Sequence, residues 1–61
     1  MQLYHIKAEY AYRVYNIIIS AHSTELAIKS VGEYIRNWTG SEYRYKVEYL
    51  GETESEIFYE I

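Results

Sequence analysis

The chain has no cysteine, no proline and no aspartate, and only three glycines. Without cysteine, disulfides and thiolate zinc sites are excluded, so two of the usual staples of very small proteins are missing. Gly32, Gly40 and Gly51 stand apart from one another, which leaves no glycine-rich loop to cradle a phosphate. No stretch approaches the roughly 20 apolar residues that span a bilayer. Met1-Gln2-Leu3-Tyr4-His5 lacks the charged-then-apolar layout of a signal peptide. These absences lead us to expect a cytoplasmic protein with no membrane association.

Charge is present but divided. Residues 1–47 carry all six Lys and Arg, and residues 48–61 carry five Glu and no base, for a formal net charge of −3. That balance argues against non-specific nucleic-acid binding, which relies on Lys and Arg displacing counterions. With 61 residues the chain makes a single domain that buries only about 60 % of its unfolded surface. Its apolar content of 49 % is that of a globular protein. Hydrophobic burial must stabilise it, with a second copy as a plausible source of more.

What is abundant is tyrosine, nine residues against one Phe and one Trp. A tyrosine ring packs like a core group and carries a hydroxyl at its tip. Such a chain has either a phenolic core or an adhesive surface.

Residues 3–21 are dense in β-branched and aromatic side chains. Tyr4, Ile6, Ala8 and Tyr10 alternate with His5, Lys7 and Glu9, and past residue 14 the phase flips to Tyr15, Ile17, Ile19 and Ala21. Alternation marks half-buried strands, and one straight strand of this length would far exceed the globule. The chain therefore bends between Tyr10 and Val14. A hairpin through Tyr10-Ala11-Tyr12-Arg13 fits, although it lacks the Asn-Gly or Asp-Gly of a tight turn; one long bent strand is the alternative. Ser23-Thr24-Glu25 reads as a helix start, with Ser23 or Thr24 capping and Glu25 at the positive end of the dipole. Ala27, Ile28, Val31, Ile35 and Trp38, with Tyr34 beside them, recur at helical spacing. Gly32 suits a close approach to the sheet, and Gly40 is placed to end the helix. Tyr43, Tyr45, Val47 and Tyr49 then alternate with Arg44, Lys46, Glu48 and Leu50, and 56–61 closes the chain as a strand with Ile57, Tyr59 and Ile61 inward.

The expected fold is α+β, in the order ββαββ, with one helix on one face of a four-stranded, mainly antiparallel sheet. The alternative is βαββ with a long bent first strand. Short hairpins at each end allow the strand orders 2-1-3-4 and 1-2-4-3. The first is favoured because it can set Glu9 against Lys46 and Lys7 against Glu48. By phase, Tyr4, Tyr10, Tyr15, Tyr43, Tyr45, Tyr49 and Tyr59 line the covered face, and Tyr12 stands at the bend.

Catalytic chemistry has little to draw on. His5 and His22 fall on separate elements, Ser23 is a cap, and no three ligands share the spacing of a zinc site. Glu52, Glu54 and Glu56 lie about a turn with no pocket to raise a carboxyl pKa. We expect no enzyme activity, no metal and no cofactor. Binding is the live class. Val14-Tyr15-Asn16-Ile17-Ile18-Ile19 carries no charge and no proline, so it must be central or covered by a partner or second copy. Order 2-1-3-4 would place it at an edge, which implies a homodimer. The expected partner or dimer contacts are Tyr10, Tyr12, Arg13, Tyr15 and Ile18, Tyr and Arg being favoured hot-spot residues. An alternative nucleic-acid face would use His5, Lys7, Arg44, Lys46 and Phe58 on the open side of the sheet. The functional expectation is a small interaction module that binds a larger protein as adaptor or inhibitor. In size and composition alone it is like phage-encoded inhibitors of host proteins. An accessory subunit of a larger complex is a further alternative.

Overall fold

The alternation between Gln2 and Ala21 folds as a hairpin of two nine-residue strands, β1 (Gln2–Tyr10) and β2 (Arg13–Ala21), paired antiparallel throughout from Gln2↔Ala21 to Tyr10↔Arg13. The phase flip seen in the sequence is the two-residue turn between them. The structure, a computed structural model, describes residues 1–36 and 43–61. Trp38 and Gly40, expected to close the helical stripe and end the helix, lie outside the described residues.

Helix α1 (Thr24–Arg36) begins where the sequence signals it. The Ser23 hydroxyl accepts the Leu26 amide at 3.2 Å, satisfying one orphan donor of the first turn, and the Ser23 carbonyl accepts the Ala27 amide as the first regular bond of the helix. The helix lies across β1 and β2. Ala27 and Val31 are fully buried, and Ile28 and Ile35 flank them. Opposite them sit Tyr4, Ile6 and Ala8 of β1 and Tyr15, Ile17, Ile19 and Ala21 of β2, all buried. Ile6 and Ile17 are directly paired and both 0 % exposed. Each such side chain contributes about 1.5–3 kcal/mol by leaving water, which makes this pair the centre of the domain.

After the undescribed stretch, β3 (Arg44–Glu52) pairs antiparallel with β1, and β4 (Phe58–Glu60) pairs antiparallel with β2. The strand order is β3-β1-β2-β4. The fold class and the ββαββ order are as the sequence implies, and the first strand is not one long bent segment. The order 2-1-3-4 is corrected. Strand one does lie beside strand three, but strand four leaves strand three and joins strand two. Near Gly51, at φ 130°, the register shifts between Leu3 and Tyr4, and Met1 and Thr53 then exchange main-chain hydrogen bonds at the end of the ladder. The chain passes the ends of β1 and β2, and Ser20 receives it. The Ser20 amide donates to the Ile57 carbonyl at 2.9 Å, and the Ser20 hydroxyl accepts the Ile57 amide at 2.7 Å. The uncharged strand is therefore internal over residues 17–19, and the edge position that implied a homodimer does not exist for that segment.

Two phase assignments change as well. On β4, Phe58 pairs with Ile19 and Glu60 with Ile17, so these two face the helix side, while Tyr59, opposite Ile18, faces the open side. In residues 56–61 the apolar phase is Ile57, Tyr59 and Ile61, but it is the phase of Phe58 and Glu60 that Tyr34 meets on the helix side. The Tyr34 ring meets Phe58 edge-on with centroids 5.0 Å apart, and its hydroxyl donates to Glu60 at 2.8 Å. The tyrosines, in turn, do not make the core. Only Tyr4 and Tyr15 are buried; Tyr45 and Tyr49 share the helix-side phase yet remain 46 % and 56 % exposed, and Tyr59 is on the other face. A 13-residue helix centred over β1 and β2 does not reach the tyrosines of an outer strand.

Candidate protein-interaction site

The β1–β2 turn consists of Ala11 and Tyr12 alone, with φ of 54° and 64°. Positive φ at both central residues is the geometry of a type I′ turn, whose twist matches a tight hairpin. Glycine and asparagine are the residues that occupy it cheaply. An L-residue with a full side chain in the left-handed region costs about 1–2 kcal/mol. Here both positions carry such residues, and Tyr12 is fully exposed.

The surroundings of the turn are aromatic and basic. Tyr10 packs half-buried against the core edge. The Arg13 guanidinium lies 4.8 Å from the centroid of the buried Tyr15 ring, within cation–π range. An open depression around the turn is lined by residues 9–14 and Arg44. Val14 is half-exposed, and the contacts of the C-terminal segment with β2 reach no nearer the turn than Asn16, so among the described residues no strand lies against the outer side of β2 beside the turn. Of the residues nominated from sequence for partner contact, Tyr10, Tyr12 and Arg13 come together here. Tyr15 is buried beneath Arg13, and Ile18 lies half-buried on the open face between His5 and Tyr59.

The open face divides into a charged half on β1 and β3 and a more apolar half on β2 and β4. Glu9 stands opposite Arg44, Lys7 opposite Lys46 and His5 opposite Glu48. The expected pairs Glu9–Lys46 and Lys7–Glu48 are thus displaced by two residues, leaving one like-charge pair in the middle. His5 Nδ1 is 3.5 Å from the Glu48 carboxylate and Nε2 is 3.1 Å from Asn16 Oδ1. His5, Lys7, Arg44 and Lys46 share this half, but Phe58 is on the opposite face of the sheet, so it stands apart from the other four. Among the described residues no three His, Asp or Glu side chains gather as a metal would require. No described helix is long and apolar enough to cross a membrane.

Ala11 and Val14 are absent from the contacts nominated from sequence, although both were named in the turn and the uncharged strand, and the outer side of β3 was not considered. The signal for Ala11 was in view: a two-residue hairpin loop without Asn or Gly is an exception that asks for a reason. Compared with known proteins, the chain matches no family model, no curated protein and no solved structure.

Proposed function

We propose that this chain is a small, non-enzymatic protein-interaction module that binds a larger protein, as adaptor or inhibitor, through the β1–β2 turn. It works in the cytoplasm and as a homo-oligomer. The reading rests on the turn itself. Ala11 and Tyr12 both occupy a left-handed backbone conformation that an Asn-Gly pair would adopt at little cost, and the Tyr12 ring buries nothing within its own chain. Strain kept at a site that stabilises nothing inside the molecule supports a contact outside it. An exposed tyrosine beside an arginine is the composition of an interface hot spot.

The test uses the double variant Ala11→Asn/Tyr12→Gly. It relieves the turn and deletes the ring, so it should fold better while capturing less. Wild type and variant are immobilised in parallel and exposed to native lysate; proteins retained by the wild type should be lost from the variant. Equal retention by a well-folded variant overturns the turn as the contact site.

One observation favours a nucleic-acid reading instead. Lys7 and Lys46 stand directly opposite with Arg44 close by, lining one depression with Glu9 and Tyr45. Like charges in register are unfavourable until an anion joins them. Titration with labelled single-stranded RNA and DNA at low salt separates the two readings: salt-sensitive micromolar binding favours nucleic acid, and no binding favours the module.

A further inference from the structure

Among the described residues the sheet has a long edge with no strand against it, that of β3. Along β1 the main-chain groups of odd-numbered residues point toward β3: Met1 exchanges hydrogen bonds with Thr53, and on the other side of the hairpin the even residues Asn16 and Ser20 of β2 point to β4. Antiparallel ladders alternate strictly. With the register His5↔Glu48, Lys7↔Lys46 and Glu9↔Arg44, the even residues of β3 therefore bond to β1. The amides and carbonyls of Tyr45, Val47 and Tyr49 point outward. Among the described residues no strand pairs with them. An edge this long is normally blunted by proline, a central bulge or a cover; here the register shift falls only at the far end, near Gly51.

We propose that β3 pairs with β3 of a second copy of this chain, antiparallel, about a two-fold axis through Val47. The inference rests on the reading of the chain as a self-associating interaction module, and it names the surface. The support is the self-complementary pattern Tyr45-Lys46-Val47-Glu48-Tyr49. With the axis at Val47, that residue exchanges main-chain bonds with its own copy. Tyr45 faces the partner's Tyr49 on the helix side, and Lys46 faces the partner's Glu48 on the open side. Each of these contacts occurs twice, as an isologous interface requires. Opposite charges and aromatic pairs are the favourable cross-strand neighbours.

The register is specific. Moving the axis one residue sets Lys46 against Lys46 or Glu48 against Glu48. Moving it two residues toward the N-terminus sets Arg44 against Lys46, and moving it the other way runs into the irregularity before Gly51. The side chains are available: Tyr45 and Tyr49 are half-exposed, and Glu48 remains 69 % exposed despite its contact with His5. Continuous pairing joins the two four-stranded sheets into one of eight strands, with the two helices on the same face.

Sedimentation over a wide concentration range tests the proposal with three variants. Wild type should be a dimer. Lys46→Glu should raise the dissociation constant about tenfold or more, while placing a carboxylate opposite Lys7 and so leaving the monomer folded. Lys46→Glu/Glu48→Lys should restore the dimer, because the two charges then meet in exchanged positions. Val47→Pro removes an amide that no strand pairs with among the described residues and should abolish association with the circular dichroism of the fold retained. A dimer indifferent to Lys46→Glu and Val47→Pro overturns the β3 edge while leaving self-association standing. A wild type that stays monomeric at the highest concentration overturns self-association altogether and leaves the turn reading to its own test.

Discussion

The two outer strands of this sheet are held in opposite ways. β3 runs nine residues beside β1 but lies largely outside the helix: Tyr43, just before it, donates its hydroxyl to the Ile28 carbonyl, and Tyr49 within it meets the Tyr4 ring edge-on at 5.9 Å. β4 has three residues and is clasped from above by Tyr34 and at its start by Ser20. One edge is long in main-chain pairing and open along its outer side; the other is short and fixed by side chains. The comparison teaches that coverage of an edge and attachment of an edge are separate properties. β4 covers the uncharged middle of β2, and β3 offers its own outer side to a neighbour.

The contrast breaks most completely at the centre on which both strands depend. Ile17→Ala empties a fully buried site paired with Ile6 and Glu60, and should cost about 2–5 kcal/mol. Val47→Ala, at a half-buried side chain on the otherwise largely exposed β3, should cost about 1 kcal/mol. Urea unfolding of the two variants checks the difference, and equal losses would mean that β3 is as embedded as β2.

Relieving the turn should act in the other direction. Ala11→Asn/Tyr12→Gly should gain about 2 kcal/mol in the same measurement, because two strained left-handed residues are replaced by residues that tolerate the conformation. A loss of stability would show that the Tyr12 ring supports the fold. Smaller again is Ser20→Ala, which deletes the acceptor of the Ile57 amide and should cost about 1 kcal/mol. Hydrogen exchange sharpens the contrast here. Amides of Ile18 and Ser20 should exchange faster while those along the β1–β3 ladder stay unchanged.

The smallest effect is a titration. The Tyr34 hydroxyl donates to the Glu60 carboxylate, and this bond, together with the negative charge beside it, raises its pKa above the ordinary 10.0. A raised pKa favours the protonated form in the folded state. The clasp on β4 is therefore complete below pH 10.0 and is lost as pH rises through the raised value. Absorbance at the phenolate band should show a late component from Tyr34, and Glu60→Gln should remove it. An unchanged curve would place the carboxylate away from Tyr34.

Much of this architecture is legible in the residues. Opposite phases on either side of residues 11–12 mark the hairpin, Ser23 marks the helix start, and the spacing of Ala27, Ile28, Val31 and Ile35 marks the buried stripe. Phase tells which side of a sheet a residue occupies, but not whether anything covers that side. Tyr45 and Tyr49 are on the expected face and exposed for that reason, and tyrosine tolerates either outcome. The placement of β4 was not legible, because Ile57, Tyr59 and Ile61 form the apolar phase, yet the helix side takes Phe58 and Glu60, which Tyr34 contacts. The Ser20 hydroxyl, 37 residues away in the chain from Ile57, holds this segment to β2 together with main-chain bonds at Ser20 and Asn16. As for the candidate site, Tyr12 was visible as a residue at a bend, whereas its backbone conformation required coordinates. The outer side of β3 emerged only once β4 was seen to lie elsewhere.

The passage of the chain from β3 round to β2 also sets an order in time. The β1–β2 hairpin closes across two residues, whereas Ser20 must wait for Ile57 and Met1 for Thr53, 52 positions further along the chain. Contacts between distant residues form late, since loop closure comes before their reward. β4, like β3, therefore docks after the hairpin has formed. Until it does, the uncharged row from Val14 to Ile19 stands open to any other molecule at the same stage. Refolding yield should fall as protein concentration rises, and the speed with which three residues find Ser20 decides how much of the chain escapes aggregation.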